Sequence, residues 1–323
     1  MNLLDPAGLD CLAALAEAGS FERAAQLLSI TQSAVSQRLR SLETEVGHLL
    51  VVRSRPLQLT EPGKVLLRYA RQLQGLRADA ARELGASLQR EERLPIAVNA
   101  DSLATWVLPA LDPLVHQGQR QGFSLELVVD DQDFTHDRLR QGEVLGCVTT
   151  VAQALRGCGC QALGAMRYVA VASPLFLSRQ VSQGLHAGNF SQVPFIVFNR
   201  KDDMQAQWVS RAFGVRQPRL RERFVPSSEA GARAAVMGWG IAVLPELLAQ
   251  PLIQREELAP VRPEVWIDVA LYWHHWRLGG ADDACPSTPG ADAPSPSLLD
   301  QLGQALAQGA HAALRQPEAR AAG

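Results

Sequence analysis

The chain has 323 residues, 47% of them apolar, 20% charged and 6% aromatic, and its 31 basic and 33 acidic side chains leave a formal net charge of −2. At roughly 150 residues per domain this length gives two or three domains with real cores, and the ordinary apolar content and near-neutral balance exclude wholesale disorder and an overall polycation. The sequence holds no run of eighteen apolar residues to cross a membrane as a helix, the opening Met1-Asn2-Leu3-Leu4-Asp5-Pro6 lacks a basic region followed by a long apolar one, and five cysteines are an odd number, so the expected compartment is a reducing cytoplasm.

Leu9, Leu12, Ala13, Leu15 and Ala16 share one face at helical spacing, and Gly19 ends that helix. Ser20 is placed to cap a second helix with Phe21, Ala24, Ala25 and Leu28 on its apolar face. After Ser29-Ile30, Thr31 can cap a third, which buries Ala34, Val35, Leu39 and Leu42 and turns Gln32, Ser33, Ser36, Gln37 and Arg40 outward. Two short helices joined by a tight turn, the second displaying amides, hydroxyls and a guanidinium, read as a helix-turn-helix suited to base edges in double-stranded DNA. Gly47 ends the third helix. Leu49–Val52 and Leu57–Leu59 then form a hairpin around the basic wing Arg53-Ser54-Arg55-Pro56. The candidate DNA-binding residues are thus Thr31, Gln32, Ser33, Ser36, Gln37, Arg40, Arg53 and Arg55. Charge agrees: from Arg23 to Arg77 nine basic residues face three acidic ones, a cationic segment on an acidic remainder. A solvated helix surface would carry the same charges, so charge alone leaves both readings open.

Thr60-Glu61-Pro62-Gly63 introduces a helical run from about Lys64 to Leu88, on which Leu66, Tyr69, Leu73, Leu76, Ala80 and Leu84 form a seam for a second helix. This predicts a homo-oligomer.

The ordered pattern from Gly19-Ser20-Phe21 through Ala24-Ala25, Leu28, Ile30-Thr31-Gln32-Ser33-Ala34-Val35-Ser36, Leu39 and Leu42-Glu43, continued by Gly47, Leu50, Val52-Arg53, Leu59-Thr60 and Gly63, resembles the winged helix-turn-helix of LysR-type transcriptional regulators. The resemblance implies a DNA-binding dimer or a tetramer built from two dimer types, with RNA polymerase a further candidate partner.

Beyond Glu91–Pro95 the composition changes. Leu94–Asn99, Ser124–Val129 and Val144–Thr149 are strand-like runs, interleaved with helices over Asp101–Leu111 and Phe134–Gln141. A second set follows: Met166–Ala172, Phe195–Phe198, a helix Gln205–Phe213, Glu222–Val225, a helix Glu229–Met237 capped by Ser227-Ser228, and Gly240–Leu244. Val265–Tyr272 returns as a strand, Gly279–Ser297 is a Pro/Gly/Ser-rich insertion, and a short helix Leu298–Leu306 precedes a frayed tail. The fold class is therefore α/β: an N-terminal winged helix-turn-helix over 1–62, a dimerisation linker helix over 63–90 and an effector-binding domain over 91–323. Within the last, two halves, about 94–165 with 266–323 and about 166–265, resemble a periplasmic-binding-protein-like two-subdomain α/β effector domain.

Ala97–Trp106, Leu139-x-x-Gly142-Glu143-Val144, Asp202-Asp203-Met204, Ser227-Ser228-Glu229-Ala230 and Leu271-Tyr272-Trp273-His274 are similar to the arginine/lysine-export (ArgP/LysG-like) branch of that family. That similarity implies an effector that is L-lysine or L-arginine and control of a basic amino-acid exporter gene. The residues supply matching chemistry. Ser102, at a helix start, can hydrogen-bond an α-carboxylate, and Thr149 offers a second hydroxyl at a strand end. Asp131 and Asp202, with Asp101 in reserve, can accept from the two cationic groups, although a strand-end Asp also serves as an ordinary cap.

No catalytic residue, metal ligand or cofactor is read from the sequence. His274-His275 would point to opposite faces of a strand, Cys158-Gly159-Cys160 lacks a second ligand pair, and Gly238-x-Gly240 precedes a strand where a dinucleotide loop would follow one. Ser173-Pro174 and Ser227-Ser228 lack recognisable His/Asp partners. Two other classes stay open: an architectural or replication-origin-associated DNA binder without a working effector site, and an amino-acid enzyme carrying a DNA-binding head.

Overall fold

A computed structural model describes residues 5–55, 57–84, 92–121, 123–130, 135–277 and 296–316. Helices α1 (Pro6–Ala18), α2 (Phe21–Leu28) and α3 (Gln32–Val46) stand where the caps place them. Ser20 Oγ accepts from Arg23 N, Thr31 Oγ1 accepts from Ala34 N, and Gly19 and Gly47 end α1 and α3 in the left-handed region that glycine tolerates. Leu9, Leu12, Leu15, Val35, Leu39 and Leu42 close one core with Leu50 and Val51 of the wing, whose strands β1 (Val51–Val52) and β2 (Gln58–Leu59) pair antiparallel.

Helix α4 spans Glu61–Glu83, so the Glu61-Pro62-Gly63 segment read as its introduction is its first turn, and Thr60 Oγ1 accepts from Gly63 N. The predicted end at Leu88 lies outside the described residues. Leu67 and Ala70 are buried in the head core, with Leu66 and Leu73 packed against it, whereas Tyr69 and Leu76 of the predicted seam remain 46% and 42% exposed.

The body begins with β3 (Glu92–Asn99), then α5 (Ala100–Ser102), a π-helical turn Leu103–Val107 and α6 (Leu108–Gln121). Next come β4 (Phe123–Asp130), α7 (Thr135–Arg140), β5 (Gly146–Thr149), β6 (Cys158–Ala172) and α8 (Pro174–Gln180). The second lobe continues with β7 (Pro194–Val197), α9 (Met204–Phe213), β8 (Arg221–Phe224), α10 (Ser228–Val236), β9 (Ile241–Pro245), α11 (Glu246–Gln254) and β10 (Ala259–Pro260). Strand β11 (Trp266–Trp276) and helix α12 (Leu298–Ala313) close the chain. Among the described residues the body strands form one sheet in the order β4-β3-β5-β11-β6-β9-β7-β8, with β10 beside β6. Strand β3 runs parallel to β4 and β5, and β7 runs parallel to β8 and β9. Each lobe thus has a parallel sheet, and the antiparallel pair β6–β11 joins them.

Several elements differ from the sequence reading. Strand β6 starts at Cys158, eight residues before the predicted Met166; Gly159 and Gly164 interrupt the apolar pattern of its first half. Gly164 sits there at φ +124°, where an added Cβ would lie 2.9 Å from Arg315 O. Helices α8 and α11 were not anticipated; each carries a proline, at the start of α8 and inside α11. The tail is not frayed through Arg315. Helix α12 continues to Ala313, its Ser297/Asp300 capping box starts it, and Leu298, Leu299, Leu302, Leu306 and Ala310 enter the main core. The 279–297 insertion lies outside the described residues up to position 295.

On one face of β11, His274 lies between Cys147 of β5 and Cys160 of β6 in register, with the ring of His136 from α7 edge-on at 5.5 Å. Burial pushes His136, His274 and His275 below the ordinary imidazole value of 6.5. The folded state therefore resists protonation that the unfolded chain accepts, so stability is full above about pH 6.5 and falls as pH drops below it. Thermal melts should show a constant Tm above about pH 7 and a decline toward pH 5, shallower in His274→Gln. An unchanged slope in that variant would assign the loss to other groups.

Candidate functional sites: an exposed helix face and an interlobe cleft

Helix α3 presents Gln32, Ser33, Gln37 and Arg40 exposed and Ser36 half-buried, on the side opposite Val35, Leu39 and Leu42. Ser33, Ser36, Gln37 and Arg40 line a shallow groove along this face with Ser41, Thr44 and Glu45. Thr31 works chiefly as the cap: its hydroxyl oxygen accepts from Ala34 N at 3.2 Å and lies 2.9 Å from Ser33 Oγ. In the wing Arg53 and Arg55 are exposed, and the Arg53 guanidinium lies 5.1 Å above the Phe21 ring. That stacking holds the Arg53 cation beside the start of α2.

The body holds a cleft of about 300 Å³ between its lobes. It opens at the carboxyl ends of β3 and β7, where α5, α9 and α10 begin. Three carboxylates (Asp101, Asp202, Asp203) and one ammonium (Lys201) are among its lining residues. Tyr168 on β6 donates its hydroxyl to Asp101 Oδ2 at 2.7 Å and fixes that carboxylate at the cleft. Three further lining residues are more than nine-tenths buried yet hold polar atoms without a partner: Asn99 (2% exposed) at both Oδ1 and Nδ2, Gln205 (4%) at Oε1, and Ser228 (7%) at Oγ. Buried polar atoms left unpaired cost about 1–3 kcal/mol each, so a polar ligand bound in this cleft would gain by pairing with them.

The residues predicted for the effector are only partly gathered here. Asp101 and Asp202 line the cleft. The Asp202 carboxylate already accepts Phe198 N and Met204 N, both at 3.0 Å, and locks the turn between β7 and α9. Ser102 is wholly buried with its hydroxyl unpartnered, but it is not a lining residue; the first turn of α5 sends Asp101 to the cleft and Ser102 inward. Thr149 is buried as well, its Oγ1 accepting Val151 N at 3.3 Å, and the neighbouring Thr150 reaches the cleft in its place. Asp131 lies outside the described residues. Asn99, Gln205, Tyr168 and Ser228 were not singled out as ligand residues. Ser173 and Ser227, weighed as isolated nucleophiles, are helix caps, accepting from Phe176 N and Ala230 N. Among the described residues no helix is long and apolar enough to cross a membrane.

Comparison with known proteins gives both halves a counterpart. The model of bacterial regulatory helix-turn-helix proteins of the lysR family matches residues 7–64, and that of the LysR substrate binding domain matches residues 88–281. The HTH-type transcriptional regulator ArgP of Aeromonas salmonicida is 40% identical over 279 residues, 86% of this chain and 92% of that protein. The crystal structure of ArgP from Mycobacterium tuberculosis superposes with a TM-score of 0.79 at 36% identity, covering 96% of this chain and 98% of the other. Full-length LysG from Corynebacterium glutamicum with bound effector Arg gives 0.72 at 34% identity, covering 96% and 99%.

If the Asp202 carboxylate holds the β7–α9 turn, Asp202→Ala should lower unfolding free energy by about 1–2 kcal/mol in urea titrations, with Asp202→Asn losing less. Wild-type stability in Asp202→Ala would dismiss the turn-locking role.

Proposed function

The chain belongs to the LysR family of bacterial helix-turn-helix transcriptional regulators, and from that premise we propose that it is a self-associating promoter-binding regulator whose cleft takes L-arginine or L-lysine and whose target is a basic amino-acid exporter gene. The observation that carries the effector reading is the charge of the cleft: Asp101, Asp202 and Asp203 against a single Lys201, in a site large enough for one amino acid. The arginine bound to the C. glutamicum relative supports it. Asp101, held by Tyr168, is the acceptor proposed for the distal cation.

On the DNA side, α1 to α3 and the wing form the reading head, α4 is the dimerisation helix, and the body from β3 onward is the effector domain in its two subdomains. Gln32, Ser33, Ser36, Gln37 and Arg40 face the major groove, Thr31 sets the start of their helix, and Arg53 and Arg55 hold phosphates. The exposed Val65, Tyr69 and Leu76 of α4, with Leu84 just past its end, are the face a second copy covers, since a chain rarely leaves so many large apolar groups along one helix in water. Promoter-bound RNA polymerase is the partner through which such a head acts.

Isothermal titration should give L-arginine and L-lysine at least tenfold tighter binding than the uncharged analogue citrulline, and Asp101→Asn should remove that preference. Footprints should change on adding the effector; identical footprints with and without it would favour an architectural DNA binder. Gln37→Ala should cost about 1–3 kcal/mol at one base position. Arg53→Ala should weaken all sequences alike and flatten the salt dependence, and altered base preference at constant salt slope would reject the phosphate role.

A further inference from the structure

We infer that the buried amides and hydroxyl of the cleft form a main-chain subsite that reads the α-ammonium and α-carboxylate of an amino acid, with Gln205 as the ammonium acceptor and Ser228 as the carboxylate donor. This rests on the amino-acid reading above but does not depend on the charge of the effector's side chain.

Gln205 decides the polarity. Its Nε2 donates to Ile196 O at 2.9 Å, which fixes the carboxamide and leaves Oε1, buried and unpartnered on a cleft-lining residue, purely as an acceptor. Only an N–H or O–H donor satisfies it. Ser228 stands at the first position of the nine-residue helix α10, where the hydroxyl of the capping Ser227 is spent on Ala230 N. Its own hydroxyl is unpartnered and buried beside the positive end of that helix, a place for an anion. Asn99, at the end of β3, offers one unpartnered acceptor and one unpartnered donor on the same carboxamide. One amide with both functions suits a ligand whose donor and acceptor groups are one carbon apart, as in a zwitterionic α-amino acid. A diamine leaves Ser228 without its anion, and a dicarboxylate sets an acceptor against Gln205 Oε1. With the main-chain end held here, the side chain extends toward Asp101, whose carboxylate Tyr168 holds from β6.

The test uses the full chain and three probes: L-arginine, agmatine (no carboxylate) and 5-guanidinopentanoate (no α-ammonium). Wild-type protein should bind both truncated probes at least about tenfold more weakly than arginine. Ser228→Ala should lose about tenfold for arginine and 5-guanidinopentanoate and leave agmatine unchanged. Gln205→Met, checked for wild-type circular dichroism, should lose affinity for arginine and agmatine and leave 5-guanidinopentanoate unchanged. Equal losses for all three probes in either variant, or truncated probes binding as tightly as arginine, would overturn the assignment. Should the wild type ignore arginine and lysine yet bind a neutral L-α-amino acid, the charge reading fails and the main-chain subsite stands. Binding of no α-amino acid at all removes both.

Discussion

The antiparallel ladder between β6 and β11 is the constraint on which the body depends. All eleven residues of β11 pair with β6, from Trp266 opposite Val169 to Trp276 opposite Cys158, with one register shift between Leu271 and Tyr272. At one end the Arg167 guanidinium reaches both oxygens of Asp268 at 2.8 and 2.9 Å and lies 4.5 Å over the Trp266 ring. Because β11 also pairs with β5 and β6 also pairs with β9, these two strands belong to both lobes at once. The lobes can change their mutual angle only by bending this pair, which makes the cleft a hinge site whose walls are otherwise rigid parallel sheets. Tyr168 sits on this shared strand, so the carboxylate of Asp101 in one lobe is tied to the hinge itself.

The head is organised on a different principle. Its helices are short, and their boundaries are set by local side-chain caps and glycine ends rather than by long-range pairing. The core of leucines and alanines then fixes the crossing of α1, α2 and α3, and everything polar on α3 is pushed to one side. A surface built this way is stiff, so groups that face a duplex lose little conformational freedom on binding. Arg53 is stiffened in the same sense by the Phe21 ring beneath it.

That contrast explains what the sequence discloses. Gly19, Ser20, Thr31 and Gly47 act on residues within four positions of themselves, so the three helices of the head are legible to within a residue or two. Strands β5, β7 and β9 are legible as apolar runs because they are covered on both faces. The cleft is another matter. Asn99 precedes Gln205 and Ser228 by more than a hundred residues, and only the sheet order brings them together. Side-chain direction was lost as well. Ser102 and Asp101 are adjacent, as are Thr149 and Thr150, and a one-residue difference in which of them faces the cleft cannot be read from composition. Asp202 was found at the cleft, but its bonds to two backbone N–H groups depend on the tight turn it closes. The first half of β6 escaped because glycine and small residues blur alternation there, and α12 was cut short because alanine and glutamine follow its leucines.

Binding in the cleft can influence the head through elements that join body and head. Strand β3 is one: Asn99 at its far end lines the cleft, while Arg93 near its start bridges Glu17 of α1 at 2.9 Å and Glu126 of β4 at 2.8 Å. Helix α4 is another, with Arg71 donating to Gly142 O just after α7 and Arg68 lying 4.8 Å over the Trp276 ring at the end of β11. The Arg93 pairs are half-exposed and each is worth less than about 1 kcal/mol, so they cannot clamp the head. The Arg71 guanidinium is better sheltered, and burial pulls its pKa below the ordinary arginine value. A contact set this modest matches what an effector has to work against. A ligand shifts two arrangements of head and body only by the difference in its affinity for them, and a few weak contacts across that boundary can be outweighed by the hydrogen bonds available in the cleft.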